Sequence, residues 1–239
     1  MAIPSASSLR HVRPVQPLYF PTEEPESEHL GQSTRHFNLC AALYRLLRSA
    51  VGPEHTVGAD QFVYFNAANP ERCLAPDAFV RLGRAHSDFD SYKAWEEGTP
   101  QLAIEVLSPR DTPERWTFKE KLRRYRELGV QELVVFHVTG KPGNRLRAWD
   151  RIDHDLVERI VEAERTQALT LGLHLLLGPV LEYPCGLRIA RDPEGNELIA
   201  LTEELLTASE GARVQAESRV AELEAALAKV RGGTAERGQ

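Results

Sequence analysis

Between Leu102 and Leu107 the chain reads Leu-Ala-Ile-Glu-Val-Leu, an apolar run with one carboxylate set inside it. The run reads as a strand and ends at Pro109, whose ring cannot donate to a sheet. A charged side chain inside a buried strand is costly unless something compensates it. A metal ion is one such partner, so Glu105 restricts the chain to folds where that position faces water or meets a cation. A second carboxylate, Asp77, follows Pro76 and heads the run Ala-Phe-Val-Arg-Leu. Two lysines, Lys119 and Lys121, come later in a basic segment.

The elements around these residues can be read in order. Residues 1–27, with Pro4, Pro14, Pro17 and Pro21 near the start, read as an extended arm without periodicity. A helical pattern begins at about Glu28, with Phe37, Cys40, Leu43, Tyr44, Leu47 and Val51 at three- and four-residue steps. Ser27 or Ser33 is its N-cap, and Gly52-Pro53 ends it. Thr-Val-Gly-Ala-Asp-Gln-Phe-Val-Tyr-Phe-Asn reads as one strand with a bulge at Gly58, and residues 84–101 read as a loop at the edge of the site. The spacing predicts a helix over Pro113–Leu128, capped by Thr112 and closed by Gly129. A central apolar strand follows at Val130–Val138.

Beyond it, two hairpins are expected, one around Asp153-His154-Asp155 and one around Pro193-Glu194-Gly195-Asn196. Residues 201–231 form an Ala/Glu/Arg/Leu-rich amphipathic helix. Its thin apolar seam suits either a short coiled coil, and so a homo-oligomer, or a solvated tail helix. Residues 232–239 read as a disordered tail, leaving 28–200 as the main domain.

Charge and cysteine usage exclude several classes. A net charge of -6 argues against a protein that coats nucleic acid electrostatically. The charge is segregated, however, with Glu23, Glu24, Glu26 and Glu28 near the start and residues 110–126 predominantly basic, so local binding stays open. The three cysteines, Cys40, Cys73 and Cys185, form no CxxC pair, and the eight histidines give no HxxxH or HExxH spacing. Reduced thiols in a cytoplasmic protein are the plainer reading than a zinc site. Neither a signal peptide nor an apolar run of about 18 residues is present, so no membrane span is expected. GxGxxG, P-loop and GxSxG patterns are missing, which removes the main support for nucleotide-binding folds and serine hydrolases.

Two carboxylates followed by a lysine suit metal-assisted phosphodiester hydrolysis. Mg²⁺ takes one or two carboxylates and leaves its other positions to water and phosphate oxygens. Asp77 and Glu105 are the expected ligands, with the backbone carbonyl of Val106 as a further oxygen. A lysine beside them would orient the attacking water or stabilise the developing charge. Lys121 and Lys119 lie on different faces of their helix, so at most one faces the sheet. Plainer readings stand beside each. Asp77 could be a turn residue, Glu105 could face solvent, Tyr125 could be core, and His36 could be a packed or exposed histidine. Arg123, Arg124 and Arg126 could face DNA or only water.

The combined pattern resembles a known family. Pro76-Asp77, then Glu105-Val106-Leu107-Ser108-Pro109, then Lys121, Tyr125, Gly129-Val130 and Glu132 are similar to the Uma-type restriction endonucleases of the PD-(D/E)xK superfamily. Tyr-Phe-Asn-Ala-Ala-Asn-Pro-Glu-Arg-Cys-Leu-Ala-Pro-Asp and Tyr-Lys-Ala-Trp-Glu-Glu-Gly-Thr-Pro also look like that family. The resemblance spans roughly residues 28–200. It implies a restriction-endonuclease-like α/β (α+β) fold, a mixed central sheet flanked by helices, with Asp77 and Glu105 binding Mg²⁺, or Mn²⁺ in its place. Leu107 stands where the superfamily's ExK lysine would be, and the lysine is supplied from the next helix, by Lys121 with Lys119 in reserve. Thr117 departs from the aspartate often found four residues before that lysine. Glu28 is the nearest match to an acidic residue at the start of the first helix. The implied substrate is DNA, with RNA not excluded. A catalytically inactive nucleic-acid-binding or scaffold protein on the same fold is the alternative.

Overall fold

The computed structural model of the chain describes Phe20 and residues 33–108 and 117–235, with the backbone alone at 227–235. Helix α1 (Thr34–Val51) precedes five short strands, β1 (Thr56–Gly58), β2 (Val63–Tyr64), β3 (Cys73–Leu74), β4 (Ala78–Arg81) and β5 (Tyr92–Lys93). A single-turn helix, α2 (Ala94–Glu97), leads into β6 (Leu102–Leu107), α3 (Phe118–Leu128) and β7 (Glu132–His137). Strands β8 (Leu146–Ile152), β9 (Asp155–Arg159), β10 (Arg165–Ala168), β11 (Leu173–Val180) and β12 (Tyr183–Ala190) follow, and α4 (Thr202–Ala235) ends the described chain.

Six strands form the main sheet in the order β1-β4-β6-β7-β8-β9. Among the described strands of this sheet only β6 and β7 pair in parallel, and they are the two strands joined through α3. Side chains alternate across a strand, so successive residues of β6 enter two different cores. Leu102, Ile104 and Val106 pack with Val134, Phe136 and the apolar face of α1. Ala103 packs on the other face with Leu133, Val135 and with Tyr125 and Leu128 of α3. The sheet is thus covered on both faces, and Glu105 falls on the α3 face. A second sheet, β10-β11-β12, extends the α1 core, while β3-β2-β5 forms a small third sheet.

Several boundaries differ from those expected. Helix α1 begins at Thr34, where the Ser33 side chain accepts from His36 N–H. Ser27 and Glu28 lie outside the described residues, as does the rest of the expected arm except Phe20, whose ring packs on Tyr64 and Trp95. Helix α3 is shorter than expected. Thr117 is extended at φ -61 and ψ 153, and it forms a reciprocal capping box with Glu120. That cap starts the helix at Phe118, and Thr112 and Pro113 lie outside the described residues. Thr117 therefore has a local reason to be threonine.

The single strand expected over residues 56–66 is two strands in two sheets, broken near Asp60, which has a positive φ of 58. Gly58 is no bulge, since β1 pairs with β4 residue for residue. A Cβ there would lie 2.2 Å from the Phe79 ring, so close packing is what requires glycine. The expected loop at 84–101 contains β5 and α2. The first hairpin forms as β8 and β9. The second does not form as a regular pair, because β12 pairs with β11 and meets the segment after the turn only through a bridge at Ala190–Leu198. The Asp192 carboxylate accepts from the N–H groups of Asn196 and Glu197 and curls the chain there.

Helix α4 continues past Gly232 to Ala235, longer than expected. Its base is tied down by the Arg188–Glu204 and Arg45–Glu203 ion pairs. Beyond that, Leu205, Leu206, Val214, Val220 and Leu223 are exposed. No described helix is long and apolar enough to cross a membrane. Cys40, Cys73 and Cys185 are all free thiols.

Candidate active site

Strands β4 and β6 are antiparallel neighbours, with Ala78 opposite Ile104. Continuing that register by one residue sets Asp77 against Glu105. The structure makes the contact through the backbone: Val106 N–H donates to Asp77 Oδ2 at 2.6 Å. On the β7 side of the same strand, Leu107 C=O accepts from Val138 N–H. Val106 therefore turns its backbone toward Asp77. The contact seen is through its N–H, where the carbonyl was the expected contributor.

Glu105 is 2% exposed, which removes the reading of a solvent-facing residue on a one-sided sheet. Lys121 Nζ donates to its Oε2 at 2.8 Å, and the Tyr125 hydroxyl donates to its Oε1. Lys121 and Tyr125 are four residues apart on α3, so one helix face delivers both. Burial pushes the Glu105 carboxyl above its ordinary range, and the charge of Asp77 adds to that, while Lys121 pulls the other way.

Asp77 is also largely buried and meets α1. Its Oδ1 accepts from His36 Nε2 at 3.1 Å. Cys40, one turn along α1, brings its sulfur to within 4.8 Å of an Asp77 carboxylate oxygen. Burial pushes that thiol far up, and the charges of Asp77, Asp60 and Glu105 raise it further. Among the described residues, His36, Cys40 and Asp77 form a group of metal-ligating types whose donor atoms lie within 4.8 Å of one another.

Asp77, Glu105, Val106 and Lys121 are thus brought together. Lys119 is not, being exposed on another face of α3, and Glu28 lies outside the described residues. Arg124 donates to the backbone carbonyls of Glu71 and Cys73, whereas Arg123 and Arg126 lie on the exposed face of α3, Arg126 beside Asp155. Tyr125 is core, as expected, yet its hydroxyl is spent on Glu105. Helical periodicity marks Cys40 only as an apolar position. Its spacing of four from His36 was the available signal for a polar role.

Two neighbouring buried carboxylates, with the Glu105 carboxyl pushed up by burial and by the charge of Asp77 and one lysine between α3 and the sheet, fit a hard divalent cation. Such an ion would replace part of the repulsion with attraction. Both ligand types are oxygens, as Mg²⁺ and Mn²⁺ prefer.

Residues 26–175 match the family described as Uma2, putative restriction endonuclease. Among solved structures, the chain is similar to a putative nuclease belonging to DUF820 from Anabaena variabilis. The identity is 14% and the TM-score 0.35, over 51% of this chain and 70% of that one. No curated protein matches significantly.

Proposed function

The chain belongs to the Uma2 family of restriction-endonuclease-like proteins, and we propose that it is a Mg²⁺-dependent DNA endonuclease with Asp77 and Glu105 as metal ligands. The observation that carries this reading is the junction of β4 and β6. There, two buried carboxylates and the Val106 backbone meet the Lys121 ammonium. When bound, Mg²⁺ would screen the scissile phosphate and lower the pKa of a water. The Val106 carbonyl is the further oxygen we assign to it, on the strand edge that already contacts Asp77.

Each side chain has a separate part. Lys121 holds Glu105 in place and, once that carboxylate turns to a cation, can donate to the attacking water or to a phosphate oxygen. Tyr125 fixes the other oxygen of Glu105 and so limits its rotation. His36 does the same for Asp77. The core on both faces holds the two strands to their register, which is what keeps the carboxylates in place.

The test is cleavage of supercoiled plasmid and single-stranded DNA with Mg²⁺ or Mn²⁺, comparing wild type with Asp77→Ala and Glu105→Ala. Metal-dependent nicking lost in both variants is expected. Folded wild type that neither cleaves DNA nor binds metal would overturn the reading in favour of a scaffold. That second reading has one observation of its own, the row of exposed Leu and Val residues on α4. Self-association through α4 is compatible with either reading, and sedimentation of the full chain beside one ending at Leu201 would test it.

A further inference from the structure

The opposite side of Asp77 holds a different set of donors. His36 and Cys40 lie one turn apart on α1 and face the sheet, where Asp77 stands just before β4. An imidazole nitrogen of His36, Sγ of Cys40 and a carboxylate oxygen of Asp77 all lie within 4.8 Å of one another, and each of the three residues is 9% exposed or less. His36 Nε2 and Asp77 Oδ1 are 3.1 Å apart. Two ligands bonded at about 2.0 Å in a tetrahedral arrangement stand about 3.3 Å apart, so this pair already has the required span. The sulfur, with a bond of about 2.3 Å, would stand about 3.5 Å from either, inside the 4.8 Å span that holds the three donor atoms.

We propose that His36, Cys40 and Asp77 form a binding site for a borderline divalent cation of the Zn²⁺ or Co²⁺ type. Imidazole, thiolate and carboxylate make a donor set that suits Zn²⁺ and is wrong for Mg²⁺, which takes oxygen ligands. Three protein ligands leave a fourth position for water, the pattern of an open zinc site. The His36 and Asp77 side chains keep 8% and 12% of their surface exposed. The carboxylates that disfavour a bare thiolate would favour a dication beside it, and the thiol would lose its proton to solvent as the ion enters.

The site shares Asp77 with the proposed nuclease centre but does not depend on cleavage. The test is titration of the full-length protein with Co²⁺, read by absorption. A sulfur-to-cobalt charge-transfer band in the near ultraviolet, with tetrahedral visible bands, is expected. The charge-transfer band should vanish in Cys40→Ser, weaken at least about tenfold in affinity in His36→Gln, and survive in Glu105→Gln. Failure to see the band, or its persistence in Cys40→Ser, would overturn the proposal. Zn²⁺ calorimetry of wild type in buffers of different ionisation enthalpy serves if a variant does not fold. Release of a thiol proton supports the site, and binding without proton release overturns it. The band without Mg²⁺-dependent cleavage would leave this site standing and remove the nuclease reading. Cleavage without the band would do the reverse.

Discussion

Two glutamates in neighbouring parallel strands are both buried in the main sheet, yet their surroundings differ. Glu132 opens β7 and is 1% exposed. It accepts from Arg159 Nη2 at 2.8 Å, from the N–H groups of Leu169 and Thr170, and from the Thr170 hydroxyl. Arg159 is held in turn by Asp150. Glu105 lies near the other end of β6. It accepts from Lys121 and Tyr125 and lies within the field of a second buried carboxylate, Asp77. A guanidinium and backbone donors saturate Glu132, whereas Glu105 shares an excess of negative charge. Burial alone therefore does not mark a site. A second buried carboxylate beside the first is what sets Glu105 apart.

The largest expected contrast comes from the matched variants Glu105→Gln and Glu132→Gln. Glu105→Gln should lower Mg²⁺-dependent cleavage by about 10²–10³-fold while the protein stays folded, as plasmid assays and circular dichroism would show. Glu132→Gln should cost about 3 kcal/mol of stability in denaturant unfolding, because Arg159 loses a buried partner. Equal losses of stability in the two variants would break the contrast.

Metal addition sharpens it next. Mg²⁺ at a hundredfold excess over its dissociation constant should raise stability by about 2.7 kcal/mol in a thermal melt, and Asp77→Asn or Glu105→Gln should remove that rise. Glu132 has no part in it. A third, smaller effect is expected at Tyr125. Tyr125→Phe keeps the ring in the core but removes the donor to Glu105, so cleavage should fall roughly tenfold with about 1 kcal/mol lost in stability.

The smallest effect concerns an ion pair away from both glutamates. Arg145, bonded to Glu164 through Nε at 2.9 Å and Nη2 at 2.5 Å, holds that carboxyl down from its ordinary 4.5 to about 2. A carboxyl whose folded pKa is depressed stabilises the fold above its unfolded pKa. That contribution fades as pH falls from 4.5 toward 2. Arg145→Met should flatten the acid limb of a stability–pH curve in that window, and an unchanged limb would count against the pair.

Much of the candidate site was legible because its signals are local. Strand alternation sets Glu105 apart from its apolar neighbours within six residues, and Pro76-Asp77 marks a strand start. Helix periodicity separates Lys119 from Lys121 and puts Lys121 and Tyr125 on one face. Whether that face meets Glu105 was not legible from periodicity. It depends on α3 crossing from β6 to β7 and packing on the Glu105 side. The described helix starts at Phe118 because Thr117-Phe118-Lys119-Glu120 is itself a good start signal, while Thr112-Pro113, another such signal, lies outside the described residues.

Glu132 shows the limit most plainly. Its partners come from β9 and the turn after β10, separated from it by up to 38 residues. Cys40 is the same case, an ordinary apolar position on α1 until β4 brings Asp77 beside it. The sequence alone determined which residues carry charge, which face of its own strand or helix each occupies, and the family pattern that joins them. Tertiary structure decided which faces meet, and so whether a buried carboxylate is saturated or left in excess. The reason is physical. Backbone periodicity directs a side chain within a few residues, whereas its electrostatic partners are chosen by strand order and register across the whole sheet.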